Sequence, residues 1–166
     1  MTMRILAAAL SALVATALVP DPVTAADATK KSVPYYASIS ASRARMRTGP
    51  ARTYPASWLY QRQDLPIKVV AIFKEWRKIA DPDGTEGWMQ ANLLSGTRTA
   101  IVHGGGPVDL REKPDAGSRV LWRAAPGVVG RLSRCGNGWC RLDVKGQAGF
   151  VAVGGLWGVE AGETLP

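Results

Sequence analysis

The residues from which catalytic and metal sites are built are scarce in this sequence. It contains one histidine, His103, and two cysteines, Cys135 and Cys140. Two cysteines and one distant histidine do not complete a tetrahedral zinc site, so we expect no metal and no cofactor. Asp81 and Asp83 flank a proline and are interpreted as turn residues, which leaves no evident catalytic centre. We therefore do not expect an enzyme.

Acidic residues are also few, 13 against 21 basic ones, which gives a net charge of +8. Residues 26–100 carry 12 basic and 6 acidic residues, a balance of +6, whereas residues 101–166 carry 8 and 6, a balance of +2. Such a charge attracts anionic partners over a long range without specifying one. The alternative interpretation is that the charge serves solubility alone.

The N-terminus has the pattern of a secretory signal peptide. Arg4 precedes an apolar run over residues 5–19, Pro20 ends the run, and small residues precede a cleavage point before Ala26. We expect a signal peptide over residues 1–25 and an exported protein, periplasmic or extracellular, with no stable membrane anchor after cleavage. An uncleaved anchor is the alternative. An exported basic protein meets anionic envelope polymers before it meets nucleic acid, so no nucleic-acid partner is expected.

The same pattern occurs twice between residues 44 and 166. Matching positions include Met46 and Leu110, Arg47 and Arg111, Pro50 and Pro114, Trp76 and Trp139, Ile79 and Leu142, and Trp88 and Phe150. A repeat of roughly 60 residues is too long for a solenoid unit and predicts two small, separately closed domains. We call the two repeats copy one and copy two.

Short runs rich in valine, isoleucine and aromatic residues, bounded by glycine, proline and aspartate, predict an all-β fold. In copy one we expect strands near 42–47, 66–74, 76–81, 85–91 and 98–102, which would form a five-stranded barrel. The predicted organisation is a disordered lead-in (26–36), a first barrel (37–102), a glycine-rich linker (103–107) and a second barrel (108–166). The linker glycines are not a phosphate loop, since no lysine–serine or lysine–threonine pair follows them.

Cys135 and Cys140 flank the sequence Gly136-Asn137-Gly138-Trp139. If Asn137 and Gly138 form a two-residue type I′ turn, Gly136 pairs with Trp139 and the cysteines face each other in the next pair. The Cα atoms of two residues paired in this way are close enough for a disulfide, and an oxidising compartment favours one. Free thiols or redox chemistry are the alternatives.

Two segments carry a resemblance to a known family. EWRKIADPDGTEGWMQANLL resembles the later part of a Src-homology-3 (SH3) barrel, and ARMRTGPARTYP resembles the first strand of its bacterial branch. The resemblance implies two tandem SH3-like β-barrels and places Trp76 and Trp139 in the ligand groove of each copy. Gln90 and Leu93 replace the proline and tyrosine with which eukaryotic members hold proline-rich peptides. Bacterial envelope members look like cell-wall or periplasmic protein-binding modules. The alternative for both tryptophans is a packing role in the barrel.

Arg43, Arg45 and Arg47 alternate with Ala44 and Met46. On a strand this alternation puts all three guanidinium groups on one face and the two apolar side chains on the other. The face suggests an anionic ligand, which arginine would bind through paired hydrogen bonds. The alternative is a solvated face with local acidic partners.

Together these observations predict a non-enzymatic module that binds a cell-wall polymer, such as a peptidoglycan fragment, or an envelope protein. The second hypothesis is a structural or regulatory periplasmic partner protein without a small ligand.

Overall fold

Two β-sheets of seven strands each make up the protein in our computed structural model, which describes residues 32–166. The first sheet comprises β1 (Tyr35–Ile39), β2 (Ala44–Arg47), β3 (Ala56–Tyr60), β4 (Pro66–Phe73), β5 (Trp76–Ala80), β6 (Glu86–Gln90) and β7 (Leu94–Ser95). The second comprises β8 (Thr99–Val102), β9 (Val108–Arg111), β10 (Val120–Ala124), β11 (Val129–Gly136), β12 (Trp139–Val144), β13 (Gln147–Ala152) and β14 (Leu156–Trp157). One-turn 3₁₀ helices, Ala91–Leu93 and Val153–Gly155, precede β7 and β14.

The two sheets have the same topology, which confirms the internal repeat and the all-β, SH3-like prediction. Their strand orders are β3-β2-β6-β5-β4-β1-β7 and β10-β9-β13-β12-β11-β8-β14, so each strand of copy two corresponds to the strand seven places earlier. No α-helix occurs within residues 32–166. No helix in this range is long and apolar enough to span a membrane.

The prediction of five strands per barrel was wrong. β3 was missed because it lies at the edge of its sheet and is mostly exposed, so its sequence lacks a regular apolar alternation. β1 was missed because its buried residues include Ala37 and Ser38, which are too small and too polar to mark a core strand. The disordered lead-in is therefore wrong for Tyr35 and Tyr36. The rest of its span up to residue 31, and the predicted signal peptide, lie outside the described residues.

The segment near residues 98–102 was assigned to the first barrel, and this is a second correction. β8 pairs with β11 and β14, so it belongs to the second sheet. An apolar run indicates that a strand is buried, but it does not indicate with which sheet the strand pairs. The sheets are therefore joined by residues 96–98, and the glycines at residues 104–106 lie inside copy two, between β8 and β9.

Each sheet curls around its own apolar core. The alternation of inward and outward residues along each strand supplies the fully buried side chains, and burying one isoleucine or methionine contributes roughly 1.5–3 kcal/mol. The core of copy one includes Ile39, Met46, Ile67, Ile79 and Met89, and that of copy two includes Val102, Leu110, Cys140, Leu142 and Val151. Trp76, at the start of β5, is only 3% exposed.

The two copies touch around Tyr36 of β1. Its ring meets the Trp157 ring of β14 edge-on, with centroids 5.3 Å apart. Lys68 and Arg98 lie over the Tyr36 ring at 5.3 and 5.5 Å from its centroid. Lys68 Nζ is 2.7 Å from Glu160 Oε1, which joins β4 of copy one to the C-terminal segment. Aromatic and ionic contacts thus connect copies whose cores are separate.

The disulfide prediction is confirmed. Cys135 pairs with Cys140 and Gly136 with Trp139 across β11 and β12. The turn between them has Asn137 at φ 51° and Gly138 at φ 79°, as a type I′ turn requires. The cysteines are bonded, with their Cα atoms 4.1 Å apart.

We expect Cys135 and Cys140 to be bonded in protein purified without a reducing agent. The intact mass without reduction should be lower than the reduced mass by two hydrogen atoms. Reduction should lower the free energy of unfolding by only about 2 kcal/mol, because the closed loop is short. Urea titrations with and without reductant measure this difference, and rapid alkylation of both thiols in native protein would contradict the prediction.

Trp76→Ala should lower the free energy of unfolding by about 3–5 kcal/mol, because it removes a large buried side chain. The matched control is Trp58→Ala in the same copy, since Trp58 is 57% exposed. We expect this surface change to cost about 0.5 kcal/mol or less. Thermal and urea denaturation of both variants make the comparison, and equal losses would show that Trp76 does not carry core packing.

The carboxylate of Glu163 should make the fold acid-sensitive. Hydrogen bonds from the Arg98 guanidinium hold the pKa of Glu163 below its usual 4.5 despite partial burial. A lowered folded-state pKa adds stability at neutral pH, which is lost as pH falls from the unfolded-state value through the folded-state value. Urea midpoints measured from neutral pH down through this range should fall more steeply for the wild type than for Glu163→Gln. Parallel curves would rule out this contribution.

Candidate ligand groove

Strands β2 and β5 bring the predicted site residues of copy one together. Arg43, Arg45, Arg47 and Trp76 all line one surface cavity of about 490 Å³. The cavity is completed by four further residues, Arg52, Leu59, Gln90 and Leu93. Arg52 and Leu59 were missed by the sequence analysis. Arg52 lies in the loop directly after Pro50, and its charge was the one available signal.

The alternation on β2 is as predicted. Ala44 and Met46 are completely buried, and Arg43 and Arg45 are exposed. Arg47 is half-buried, and its Nη1 donates a hydrogen bond to the Tyr54 carbonyl oxygen at 2.7 Å. Arg47 therefore also holds the loop between β2 and β3, a structural role that the sequence did not reveal.

The four arginines of the groove lack acidic partners. Among residues 32–166, no carboxylate lies within salt-bridge distance of Arg43, Arg45, Arg47 or Arg52. Some other basic residues in this range are paired, as Lys78 is with Glu86 at 2.6 Å, and others such as Arg62 and Lys74 are not, so the groove is distinguished by gathering four such arginines around one cavity. The alternative of a solvated face with local acidic partners is thus not what the described part of the chain shows.

Trp76 combines both interpretations of its role. The indole contributes to the wall of the cavity, yet only 3% of the residue is exposed. A side chain so deeply buried is chiefly a packing residue that shapes the cavity, and it offers a ligand little contact area. Trp76 thus lines the cavity, as the family resemblance implies, and also has the packing role that was the alternative, because the surrounding barrel covers the ring. Its part in ligand binding stays a prediction.

Copy two has a cavity at the equivalent place, with a volume of about 330 Å³. It is lined by Val108, Asp109, Arg111, Ala116, Trp139, Val151, Ala152 and Gly155. Trp139 is less deeply buried than Trp76, and like Trp76 it starts the strand after the first hairpin turn. The predicted residue of copy two thus lies in a groove of its own, separate from the arginines of copy one.

The charge of the copy-two groove is compensated internally. Asp109 occupies the position of Arg45, and Ala116 that of Arg52. The Asp109 carboxylate lies 2.8 Å from Arg111 Nη2 and 3.0 Å from Arg123 Nε. Two grooves of the same fold therefore differ in charge. In copy one, four arginines have no acidic partner among residues 32–166, whereas in copy two Asp109 pairs with Arg111 of the groove and with Arg123 beside it.

The turn interpretation of Asp81 is confirmed. Its Oδ1 accepts hydrogen bonds from the backbone amides of Asp83 and Thr85, and its Oδ2 accepts one from the Tyr60 hydroxyl at 2.8 Å. Burial and this carboxylate raise the pKa of Tyr60. Within the described residues, no cluster of three or more histidine, cysteine or acidic side chains has the geometry of a metal site.

Solved structures that are similar to this chain include those of two proteins from Trichomonas vaginalis, NlpC2 and NlpC1. The matches cover 77% of this chain and 51% and 47% of theirs, with 9% and 8% sequence identity and a TM-score of 0.35 for both. The chain thus spans about half the length of these structures. A comparison with curated proteins gives no significant match.

A family model described as "Bacterial SH3 domain" matches residues 40–96 and again residues 104–158. The two matches fall on copy one and copy two and together cover more than half of the chain. They agree with the repeated strand order and with the groove that each copy forms beside its β5 or β12 tryptophan. The chain belongs to the bacterial SH3 domain family and carries two tandem copies of that domain.

Proposed function

We propose that the protein is a non-enzymatic binding module of the cell envelope, and that the copy-one groove takes an anionic cell-wall fragment or a segment of an envelope protein. The observation that carries this proposal is the cluster around one cavity of four arginines that have no acidic partner in the described part of the chain. Peptidoglycan fragments are the ligand class we favour, in keeping with bacterial SH3 domains as cell-wall-associated binding modules.

Electrostatics favours an anion in this groove. Guanidinium groups that face one cavity without counter-charges repel one another, so an entering anion removes repulsion and adds attraction. Arginine also binds carboxylate or phosphate through two parallel hydrogen bonds, which gives orientation as well as affinity. The half-buried Arg47 is held in place by the Tyr54 carbonyl, so less side-chain entropy is lost when a ligand binds it.

The chemistry of the lining supports binding rather than catalysis. The cavity presents guanidinium, indole, amide and aliphatic groups. None of these groups is among the usual nucleophiles or general bases of enzymes. The groove thus offers recognition without a general base.

The disulfide supports export. Cys135 and Cys140 are bonded, and such bonds persist in oxidising compartments such as the periplasm and the extracellular space. The net charge of +8 would concentrate the protein near anionic envelope polymers.

One observation favours the second hypothesis, a structural or regulatory partner protein without a small ligand. Trp58 and Trp122 are 57% and 45% exposed and occupy equivalent positions, opposite the core residues Met46 and Leu110. Each follows a β-bulge at the same place, and bulges often re-aim a side chain beside a functional surface. Exposed tryptophans repeated in this way would suit a protein interface.

Binding to peptidoglycan should depend on the copy-one arginines. We expect the mature protein to sediment with purified, insoluble peptidoglycan at low salt. Binding should weaken as the Debye length falls from about 10 Å at 0.1 M salt to about 3 Å at 1 M. The triple variant Arg43→Gln/Arg45→Gln/Arg52→Gln should lose most of the binding and leave the fold intact, because all three side chains are exposed.

The matched control is Arg119→Gln/Arg134→Gln/Lys145→Gln, which removes the same net charge from exposed positions of copy two outside its groove. We expect this control to bind nearly as well as the wild type. Equal losses in both variants would show a non-specific charge effect. If the wild type does not sediment at all, the peptidoglycan assignment fails. A pull-down from envelope extract that depends on Trp58 and Trp122 would then support the partner-protein hypothesis.

A further inference from the structure

Arg47 and Arg111 occupy equivalent positions and make the same hydrogen bond. Arg47 Nη1 donates to the carbonyl oxygen of Tyr54, and Arg111 Nη1 donates to that of Ser118, both at 2.7 Å. Each acceptor lies seven residues after its arginine. The loop after β2 or β9 therefore holds the guanidinium group in the same way in both copies.

The second amino group of this arginine distinguishes the copies. In copy two, Arg111 Nη2 donates to Asp109 Oδ2 at 2.8 Å. The other oxygen of Asp109 accepts a hydrogen bond from Arg123 Nε at 3.0 Å. In copy one the Nη2 atom of Arg47 has no partner among residues 32–166, although the same backbone holds the group in place.

Strand pairing shows what replaces the carboxylate in copy one. Asp109 pairs with Arg123 across β9 and β10, and Arg45 pairs with Leu59 across β2 and β3. Copy one thus has an arginine where copy two has its acid, and leucine where copy two has the second arginine. The carboxylate that copy two supplies from its own chain must come from outside if Arg47 is to be paired.

We propose that copy one binds a ligand carboxylate on Arg47, at the position that the Asp109 carboxylate occupies on Arg111. The inference rests on the proposed function and deepens it by naming the group that the groove recognises. Copy two is closed to such a ligand, because Asp109 already fills the place. Arg45 and Asp109 are then the residues that determine which copy binds.

The way in which copy two holds its own Asp109 carboxylate favours a carboxylate ligand over a phosphate in copy one. A planar group with two oxygens is held there between two arginine side chains, with one oxygen to each. Arg45 stands in the same position on β2 as Asp109 on β9, so it supplies the neighbouring positive charge in copy one. The carboxylate could be a peptide terminus or a side chain, and both sources share this chemistry.

The test uses nuclear magnetic resonance of the arginine Nε–H groups in the mature protein at low salt. The probe is N-acetylalanine, which has one free carboxylate, and its neutral control is N-acetylalanine amide. Inorganic phosphate serves as the other anion. N-acetylalanine should shift the Arg47 signal and leave the Arg111 signal unchanged. The amide should shift neither, and phosphate should bind more weakly than the carboxylate.

Two variants test the role of the internal carboxylate, one by adding it to copy one and the other by removing it from copy two. Arg45→Asp should place an internal carboxylate on Arg47 and lower the affinity for N-acetylalanine by about tenfold or more, the usual loss for a charge-assisted hydrogen bond. Arg45→Asn, matched to it in size but uncharged, should retain a weaker response. Asp109→Asn/Arg123→Leu should open copy two, so that Arg111 begins to respond. Asp109→Asn alone repeats this test if the double variant does not fold, as judged by its backbone spectrum.

A silent Arg47 in the wild type, an equal shift with the amide, stronger binding of phosphate, or a silent Arg111 in the folded Asp109 variants would overturn the proposal. Peptidoglycan sedimentation separates this result from the proposed function. If peptidoglycan binds and N-acetylalanine does not, the carboxylate inference fails and the envelope function stands. If N-acetylalanine binds Arg47 and peptidoglycan does not sediment with the protein, the proposed peptidoglycan function fails and the carboxylate inference stands.

Discussion

The burial of Met46 under strand β6 is the constraint on which the copy-one groove depends. Met46 is completely buried, and a Cβ atom at Gly87 would lie 2.5 Å from its Cγ and 2.9 Å from the Arg47 carbonyl oxygen, so this packing leaves no room for a side chain at position 87. Once Met46 points inward, the alternation of a strand forces Arg45 and Arg47 outward on the opposite face. The core thus fixes the direction of the charged side chains, and the groove takes its positive charge from them.

The duplication lets the chain serve as its own comparison. Both copies keep the buried residue at the centre of β2 or β9, the arginine that follows it and the hydrogen bond to the next loop. They differ in the residues that the barrel does not need for closure. Asp109 replaces Arg45 and Ala116 replaces Arg52, and these positions outside the core decide the charge of each groove. Packing thus constrains the core residues of both barrels, whereas the charged residues of the groove can differ between the copies.

The sequence predicted those features that local rules determine. The all-β class, the two copies, the alternation on β2 and the register of Cys135 and Cys140 all follow from periodicity and turn chemistry, and the structure agrees. The disulfide register was predictable because a two-residue turn leaves only one pairing. The arginine face was predicted from the alternation of a strand and the place of Trp76 from the family resemblance, and the structure brings Arg43, Arg45, Arg47 and Trp76 around one cavity.

Long-range features escaped the sequence. Whether β8 pairs with β4 or with β11 depends on the closure of a whole sheet, and no short pattern encodes that choice. The burial of Trp76 depends on side chains that meet it from other strands. Arg52 joins the groove only because its loop folds back over β2, where Arg47 binds the Tyr54 carbonyl.

The boundary between the two sheets decides where the chain can be divided into two complete domains. Residues 104–106 look like a hinge because they are glycines, yet the chain has already entered the second sheet at Thr99. A protease or a gene fusion that divides the chain at the glycines would leave β8 attached to the wrong half. The second half would then lack the strand that lies between β11 and β14. Each structural domain therefore starts with a strand, β1 or β8, that precedes the segment matched by the family model. A division within residues 96–98 keeps both sheets complete.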